Sequence, residues 1–340
     1  LLIEEARTNL TVNSQVATGS AGTAATPDAA LAPDGTMSMD FFYEDTTNGE
    51  HYAQDRNYAA AAGTTYCFSV FIKDGGLATD RRYYHRIAGA AVTSFLFNPT
   101  TQDISGLVTI SGYVDHGVIP CGNGVFRVWI AYTAQTSTNV VNRSQLYNTV
   151  AGPIYTGDGT SGIYIWGAQL EAGAFPTSYI PTSAAATTRA SDAASMTGTN
   201  FSEWYLADEW TLYAESSSFM PSADYSIVAL LHGTGTPSLG RHQTNSRGFG
   251  PSVSIDSGAG SYPPDVVVKQ AMAAKVNDYA LSTNGGAAFA DTTTGSMPTD
   301  VIALWLGSRQ DLARSLNGHI RRLAHYPRRL ANAELQAITA

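Results

Sequence analysis

Alternation rather than helical spacing organises this chain. Tyr66, Phe68, Val70 and Ile72 are apolar at every second position, with Cys67, Ser69, Phe71 and Lys73 between them. Successive side chains of a strand point to opposite faces, so this spacing predicts a strand with one core face. Phe126, Val128, Ile130 and Tyr132 repeat the pattern against Arg127, Trp129 and Ala131. Residues 163–171 are apolar on both faces in their first half, as in a central strand covered on both sides. Turn chemistry separates these runs: Pro33-Asp34-Gly35, Asp74-Gly75-Gly76, Gly122-Asn123-Gly124 and Gly157-Asp158-Gly159. Many short strands joined by polar turns predict an all-β fold of the sandwich or jelly-roll kind.

The pattern breaks near residues 183–198, where small polar residues follow Pro176 and Pro181. This break predicts two consecutive β-sandwich (jelly-roll) domains, 1–190 and 191–340. Strands are predicted over 211–215, 226–231, 266–268, 301–306 and 318–326. Residues 271–280 are ambiguous, because alanine favours helix and the setting favours strand. A short C-terminal helix should begin near Asn332, with Leu335 and Ile338 on one face. The predicted cores are Tyr66, Phe68, Val70, Ile72, Phe126, Val128, Ile130 and Trp166 in the first domain. In the second they are Leu304, Leu306, Ile320, Leu335 and Ile338.

Composition fits two domains. The chain has 340 residues, 44% of them hydrophobic and 14% charged, which supplies cores and argues against wholesale disorder. The net charge of -9 disfavours a nucleic-acid or anionic-membrane partner. Arg321-Arg322 and Arg328-Arg329 read as solvated hairpin edges. Cys67 and Cys121 are too few for a disulfide framework; they could pair, but free, mostly buried thiols are expected. No apolar run is long enough for a membrane-spanning helix, and no signal peptide is seen. The chain opens inside a strand-like run, Leu1-Leu2-Ile3, which suggests that a preceding N-terminal region is missing.

Several segments carry a resemblance. Residues 1–10 (LLIEEARTNL), 32–36 (APDGT), 66–73 (YCFSVFIK), 124–132 (GVFRVWIAY), 164–173 (YIWGAQLEAG) and 177–182 (TSYIPT) resemble a carbohydrate-binding-module-like jelly roll of phage tail fibres and spikes. Residues 188–192 (TRASD) resemble the usual exit from that module. Residues 201–205 (FSEWY), 211–215 (TLYAE), 304–308 (LWLGS) and 316–339 are similar to a concanavalin-like, laminin-G-like sandwich. Where that pattern places Ser or Thr before the last helix, Ala331 stands here. The resemblance implies a virion structural or adhesion protein, a tail fibre, spike or capsid appendage. Its partners would be other virion proteins, and a homo-oligomer is expected, with a trimer favoured. Its place would be the surface of a phage or prophage particle. It implies no particular ligand, because such folds host many functions.

Enzyme signatures are absent: no nucleophile elbow, no phosphate-binding loop, no zinc-binding helix motif. Glu4-Glu5 point to opposite faces of an extended run, and Glu203, Asp208 and Glu209 do not alternate as a carboxylate pair would. The chain therefore reads as a non-enzyme, with polysaccharide depolymerase the remaining catalytic alternative. His319 and His325 have even spacing and could share a strand face, and His232 and His242 fall in Gly-rich turns. Sugars stack on aromatic rings while polar side chains read their hydroxyls. Trp129 with Arg127, Phe71 with Lys73, and Tyr84 between Arg82 and Arg86 are therefore candidates for one glycan-contacting sheet surface. A second packed layer or a subunit interface is the competing reading, and with it a purely structural or decorating role. No cofactor is expected. Asp34 and Asp158 are candidates for a structural calcium, with a plain Asp-Gly turn preferred. The glycosylation-like Asn9, Asn142 and Asn200 patterns read as accidental.

Overall fold

The computed structural model describes residues 1–340 except 16–20, 54–55, 220–225, 234–236, 242–245, 252, 258–261, 293–294, 299 and 313. His242 lies outside the described residues. The fold is all-β, and among the described residues short helices occur only at Thr199–Ser202 and Asn332–Thr339. The chain divides into two compact units, Arg7–Arg189 and Ala190–Ala340, the latter also taking in Leu1–Ala6. The sequence pattern assigned residues 1–6 to the first sandwich. They belong instead to the other unit, because Leu2 and Ile3 pair with His319 and Gly318 and Ile3 is fully buried in that unit's core.

In the Arg7–Arg189 unit, one sheet has the order Tyr113–Gly122, Val125–Thr133, Thr65–Asp74, Gly162–Ala172, Met37–Glu44, Thr23–Leu31. The other runs Ile104–Ser111, Val92–Phe97, Arg81–Gly89, Asn139–Asn148, with His51–Tyr52 and Arg56–Ala59 both pairing with the last of these. The predicted residues Tyr66, Phe68, Val70, Ile72, Phe126, Val128 and Ile130 face Tyr83, Ile87, Phe95, Phe97, Val140 and Leu146 across the core. The strand Gly162–Ala172 is buried on both faces and carries a bulge. The register shifts between Trp166 and Gln169, and Gly167 takes a φ of 64°. Ile163, Ile165, Ala168 and Leu170 therefore all face inward, while Trp166 turns out into a second apolar layer with Ala32, Met39, Phe71 and Val125.

That layer is sealed by the unit's own ends. Asn9 Nδ2 donates to Ile180 O at 2.8 Å and Ala168 O at 3.2 Å, and its Oδ1 accepts from Leu170 N. Gln169 Oε1 accepts from Ile180 N at 2.7 Å, and Glu171 accepts from Thr177 N at 3.0 Å. Buried polar side chains thus find partners in two segments that lack any strand periodicity.

Deep in the core, His85 is fully buried between Phe68, stacked at 5.0 Å, and Phe95. Tyr83 Oη lies 2.7 Å from Nδ1, and Nε2 lies 3.3 Å from Phe68 O, a pair that fits the neutral ring. Burial pushes its pKa down to about 3 against the donating contact to Phe68 O. The unfolded chain therefore takes up a proton near pH 6.5 that the native state refuses. Stability should fall as the pH drops from about 6.5 towards 3, by up to about 1.4 kcal/mol per unit. Urea melts at pH 7, 5 and 4 check this, and a His85→Phe variant should flatten the dependence.

In the Ala190–Ala340 unit, one sheet has the order Leu2–Ile3, Gly318–Tyr326, Glu209–Ser218, Val268–Lys275, Asp278–Thr283, Phe289–Asp291. The other has Ala194–Thr197, Ala303–Leu306, Ser226–His232, Ser238–Arg241, Ser246–Gly250, Val253–Asp256. The ambiguous 271–280 stretch is a hairpin turning at Asn277, whose φ is 55°. Its alanines have a packing reason: Ala271, Ala273 and Ala280 lie under the C-terminal helix, where Leu330 and Leu335 dock. The predicted core residues Leu304, Ile320 and Leu335 are buried, while Leu306 and Ile338 are only half-buried. Ala331 is the helix N-cap and supplies no side-chain bond. Glu334 compensates by accepting from Ala331 N at 2.7 Å, and Arg328 pairs with it at 2.8 Å. Cys67 is buried and Cys121 exposed, so the expectation of two buried thiols fails at the open end of an edge strand.

Candidate ligand-binding face

The sequence-chosen aromatics and cations do not form one surface. Phe71, Lys73, Arg127 and Trp129 lie on the outer face of one sheet, and Arg82, Tyr84 and Arg86 on the outer face of the other. Phe71 and Arg127 are each only 6% exposed. Arg127 donates from Nε and Nη2 to Ser69 Oγ at 3.2 and 2.9 Å and from Nη1 to Thr177 O, with its guanidinium over the Phe71 ring. Phe71 meets Trp166 and Tyr179 edge-on at 5.3 and 5.9 Å. These two are packing residues under the 177–182 segment. An alternate position on a strand faces away from the main core, but the chain's own ends can still cover it. Lys73 and Trp129 are half-buried. Trp129 lies against Gly117, where a Cβ would come within 2.8 Å of its Nε1.

Arg82, Tyr84 and Arg86 do share a face, as alternation predicted, and each is half-buried. The neighbouring strand adds Arg143, Gln145 and Tyr147. Cross-strand pairing sets Arg86 beside Arg143, Tyr84 beside Gln145 and Arg82 beside Tyr147, and Tyr52 pairs with Gln145 from the other side. Glu50 bridges the cations, at 3.2 Å from Arg86 and 2.9 Å from Arg143. Arg143 lies 3.8 Å over the Tyr52 ring, Tyr84 and Tyr147 rings are 5.3 Å apart, and Tyr84 Oη reaches Ser94 Oγ at 3.0 Å. Arg82 instead donates to the backbone oxygens of Thr79 and Arg81.

Gln145 is the unusual member. It sits on the outer face yet is 0% exposed, beside Tyr52, Tyr84 and Arg143, and neither Oε1 nor Nε2 has a hydrogen-bond partner among the described residues. A buried primary amide with both ends unmet is costly, and native structures keep such groups rare. Sequence reasoning missed Gln145, Tyr52, Tyr147, Arg143 and Glu50. The signal available was the alternation of Arg143, Gln145 and Tyr147, in a stretch that the sequence pattern had not assigned to a strand.

The other candidates resolve individually. Asp34 Oδ1 accepts from Thr36 N and Oγ1 at 2.9 and 2.6 Å. Asp158 accepts from Thr160 and Ser161, backbone and hydroxyl alike. Against some burial, those bonds hold the Asp158 carboxyl below the usual range. Both side chains serve their turns, and among the described residues no cluster of three or more His, Cys, Asp or Glu side chains is placed to hold a metal. His319 and His325 do not share a face, because a register shift near Arg321 inverts the alternation between them. His325 packs on Trp204 at 4.6 Å, and burial lowers its pKa to about 4, while His319 meets Phe219.

No model of a known protein family and no curated protein sequence matches the chain. Among solved structures it is similar to domains LG4-5 of the mouse laminin alpha1 chain, at 9% identity over 95% of this chain and 94% of that one, with a TM-score of 0.33. It is similar to the LG1-3 region of the laminin alpha2 chain, at 10% identity over 84% and 66%, with a TM-score of 0.31. It is also similar to a Trypanosoma rangeli sialidase in complex with sialic acid, at 10% identity over 88% and 60%, with a TM-score of 0.31.

Proposed function

We propose that the protein is a non-enzymatic adhesion component of a virion surface, binding a neutral glycan on the Tyr52–Tyr84–Tyr147 face. The observation that carries this reading is Gln145. Its amide offers one acceptor and two donors with no partner among the described residues. Two neighbouring hydroxyls of a sugar ring, one donating and one accepting, complement such an amide. The ring's apolar face would rest on tyrosine. Tyr52 or Tyr84 must swing aside to admit it. Glu50 already engages both Arg86 and Arg143 and offsets one of their two charges, so recognition is assigned to the Gln145 amide and the tyrosine rings rather than to a charge on the sugar. Weak single sites become effective when repeated, so a homo-oligomer, with a trimer favoured, suits this role.

Host-cell or glycan-array binding tests the proposal. Tyr84→Ala and Gln145→Leu should each lower affinity about tenfold or more, equivalent to about 1.4 kcal/mol. Trp129→Ala should bind normally. Retained binding by both face variants, with intact folds, would overturn the reading.

A decorating role rests on a different feature. The edge strand Ile104–Ser111 carries no charge, and Ile104, Leu107 and Ile110 on it are exposed, Ile110 by 74%. An uncharged apolar edge is a pairing surface for another chain. A clean monomer by light scattering would remove this reading and the oligomer together.

A further inference from the structure

The interior of the Ala190–Ala340 unit is apolar around Leu212, Ala214, Leu231, Met272 and Leu281. Along the same inward faces it then turns polar. Ser216 continues the Leu212–Ala214 row, Gln270 the Met272 row, Thr283 the Leu281 row, and Arg241 the Leu239 row. Direct pairing places Ser246 beside Arg241 in one sheet and Thr283 beside Gln270 in the other. All five are nine-tenths or more buried.

The sheets are joined here by polar groups. Arg241 Nη1 donates to Ser216 O at 2.9 Å and Val266 O at 3.0 Å, and Nη2 to Pro263 O at 3.2 Å. Gln270 Nε2 donates across to Gly240 O at 2.8 Å. That leaves Arg241 Nε, Ser216 Oγ, Ser246 Oγ, Thr283 Oγ1 and Gln270 Oε1 without a partner. Five unmet groups in one buried layer are far from the native norm. Among the described residues Arg241 forms no ion pair, and Asp265 acts on its charge only from a distance. Burial lowers its pKa to about 10, so it stays cationic at neutral pH. A buried cation with no carboxylate in contact calls for a closer counter-charge.

We propose that this layer binds a small inorganic oxyanion that keeps one O–H, of the phosphate class. Arg241 Nε–H and the Ser216, Ser246 and Thr283 hydroxyls donate to it. Gln270 Oε1, whose orientation is fixed by the bond from Nε2 to Gly240 O, accepts its remaining proton. Sulfate and chloride lack that proton and leave Gln270 unmet. With Arg241, Ser216, Ser246 and Gln270 all nine-tenths or more buried, a free ion suits the layer better than a phosphate ester.

The test is thermal unfolding of the whole chain at pH 7 in phosphate, sulfate or chloride at matched ionic strength, with calorimetric titration of phosphate. Phosphate should raise the melting temperature saturably at one site per chain, at least tenfold more tightly than sulfate. Arg241→Gln should abolish the effect. Ser246→Ala, which deletes an unpartnered hydroxyl and should leave the phosphate-free fold intact, should weaken phosphate about tenfold. No saturable response, equal responses to chloride and phosphate, or an unchanged response in folded Ser246→Ala would each overturn the assignment. Because the glycan face lies in the Arg7–Arg189 unit, its success or failure is read separately.

Discussion

Arg81→Met is expected to destabilise the Arg7–Arg189 unit by about 3–5 kcal/mol. Glu44 is fully buried. It accepts from Arg81 Nε at 2.9 Å and Nη2 at 3.0 Å, from Tyr155 Oη at 2.6 Å and from Asp158 N at 2.8 Å. The Arg81 guanidinium also lies 4.3 Å over the Tyr155 ring and pairs with Asp80. Removing the cation strands a carboxylate in the interior with only two neutral donors. That penalty, rather than the pair's own strength, sets the magnitude. A double variant Glu44→Gln/Arg81→Met should therefore recover much of the loss. Urea unfolding measures both, and a loss below about 1 kcal/mol in the single variant would contradict this account.

Trp166→Ala should cost a similar amount, about 3–5 kcal/mol. Trp166 is nearly fully buried in the outer layer, 4.5 Å from the Tyr179 ring and 5.3 Å from Phe71, with Met39 and Val125 around it. Deleting it leaves a cavity under the 177–182 segment, whose hydrogen bonds to Asn9 and Gln169 hold it rigidly and limit collapse. Its Nε1 has no partner, so Trp166→Phe removes an unmet donor along with part of the ring and should cost clearly less than alanine. An unchanged melting temperature in Trp166→Ala would show that the layer is not packed as described.

The inter-sheet core of the first unit was legible because alternation reports facing directly: every inward residue named on the strands around Phe68 and Phe126 is buried. What alternation cannot report is what lies over the other face. Phe71 and Arg127 alternate correctly and are still buried, because residues 177–182, which carry no periodic signal and are braced by Asn9 and Ser14, fold back over them. Nor does it say to which sheet a strand belongs, and so Trp129 and Tyr84 looked like neighbours. Single-residue bulges defeat it locally, at Gly167, where both inward rows continue, and near Arg321, where His319 and His325 part. The alanines of 271–280 misled for a tertiary reason: their small size serves a helix docked above them. Gln145 stands in the polar run Asn142-Arg143-Ser144-Gln145, and its setting exists only once Tyr52, Tyr84 and Tyr147 converge from three strands.

The proposed glycan face is tested most directly at Gln145 itself. The side-chain amide of Gln145, assigned by nuclear magnetic resonance through its loss in Gln145→Leu, should shift on titration with the neutral oligosaccharide bound best in the array. Tyr84 ring signals should move with the same midpoint, and the Trp129 indole should not. Binding that moves the Trp129 indole and leaves the Gln145 amide in place would contradict the account.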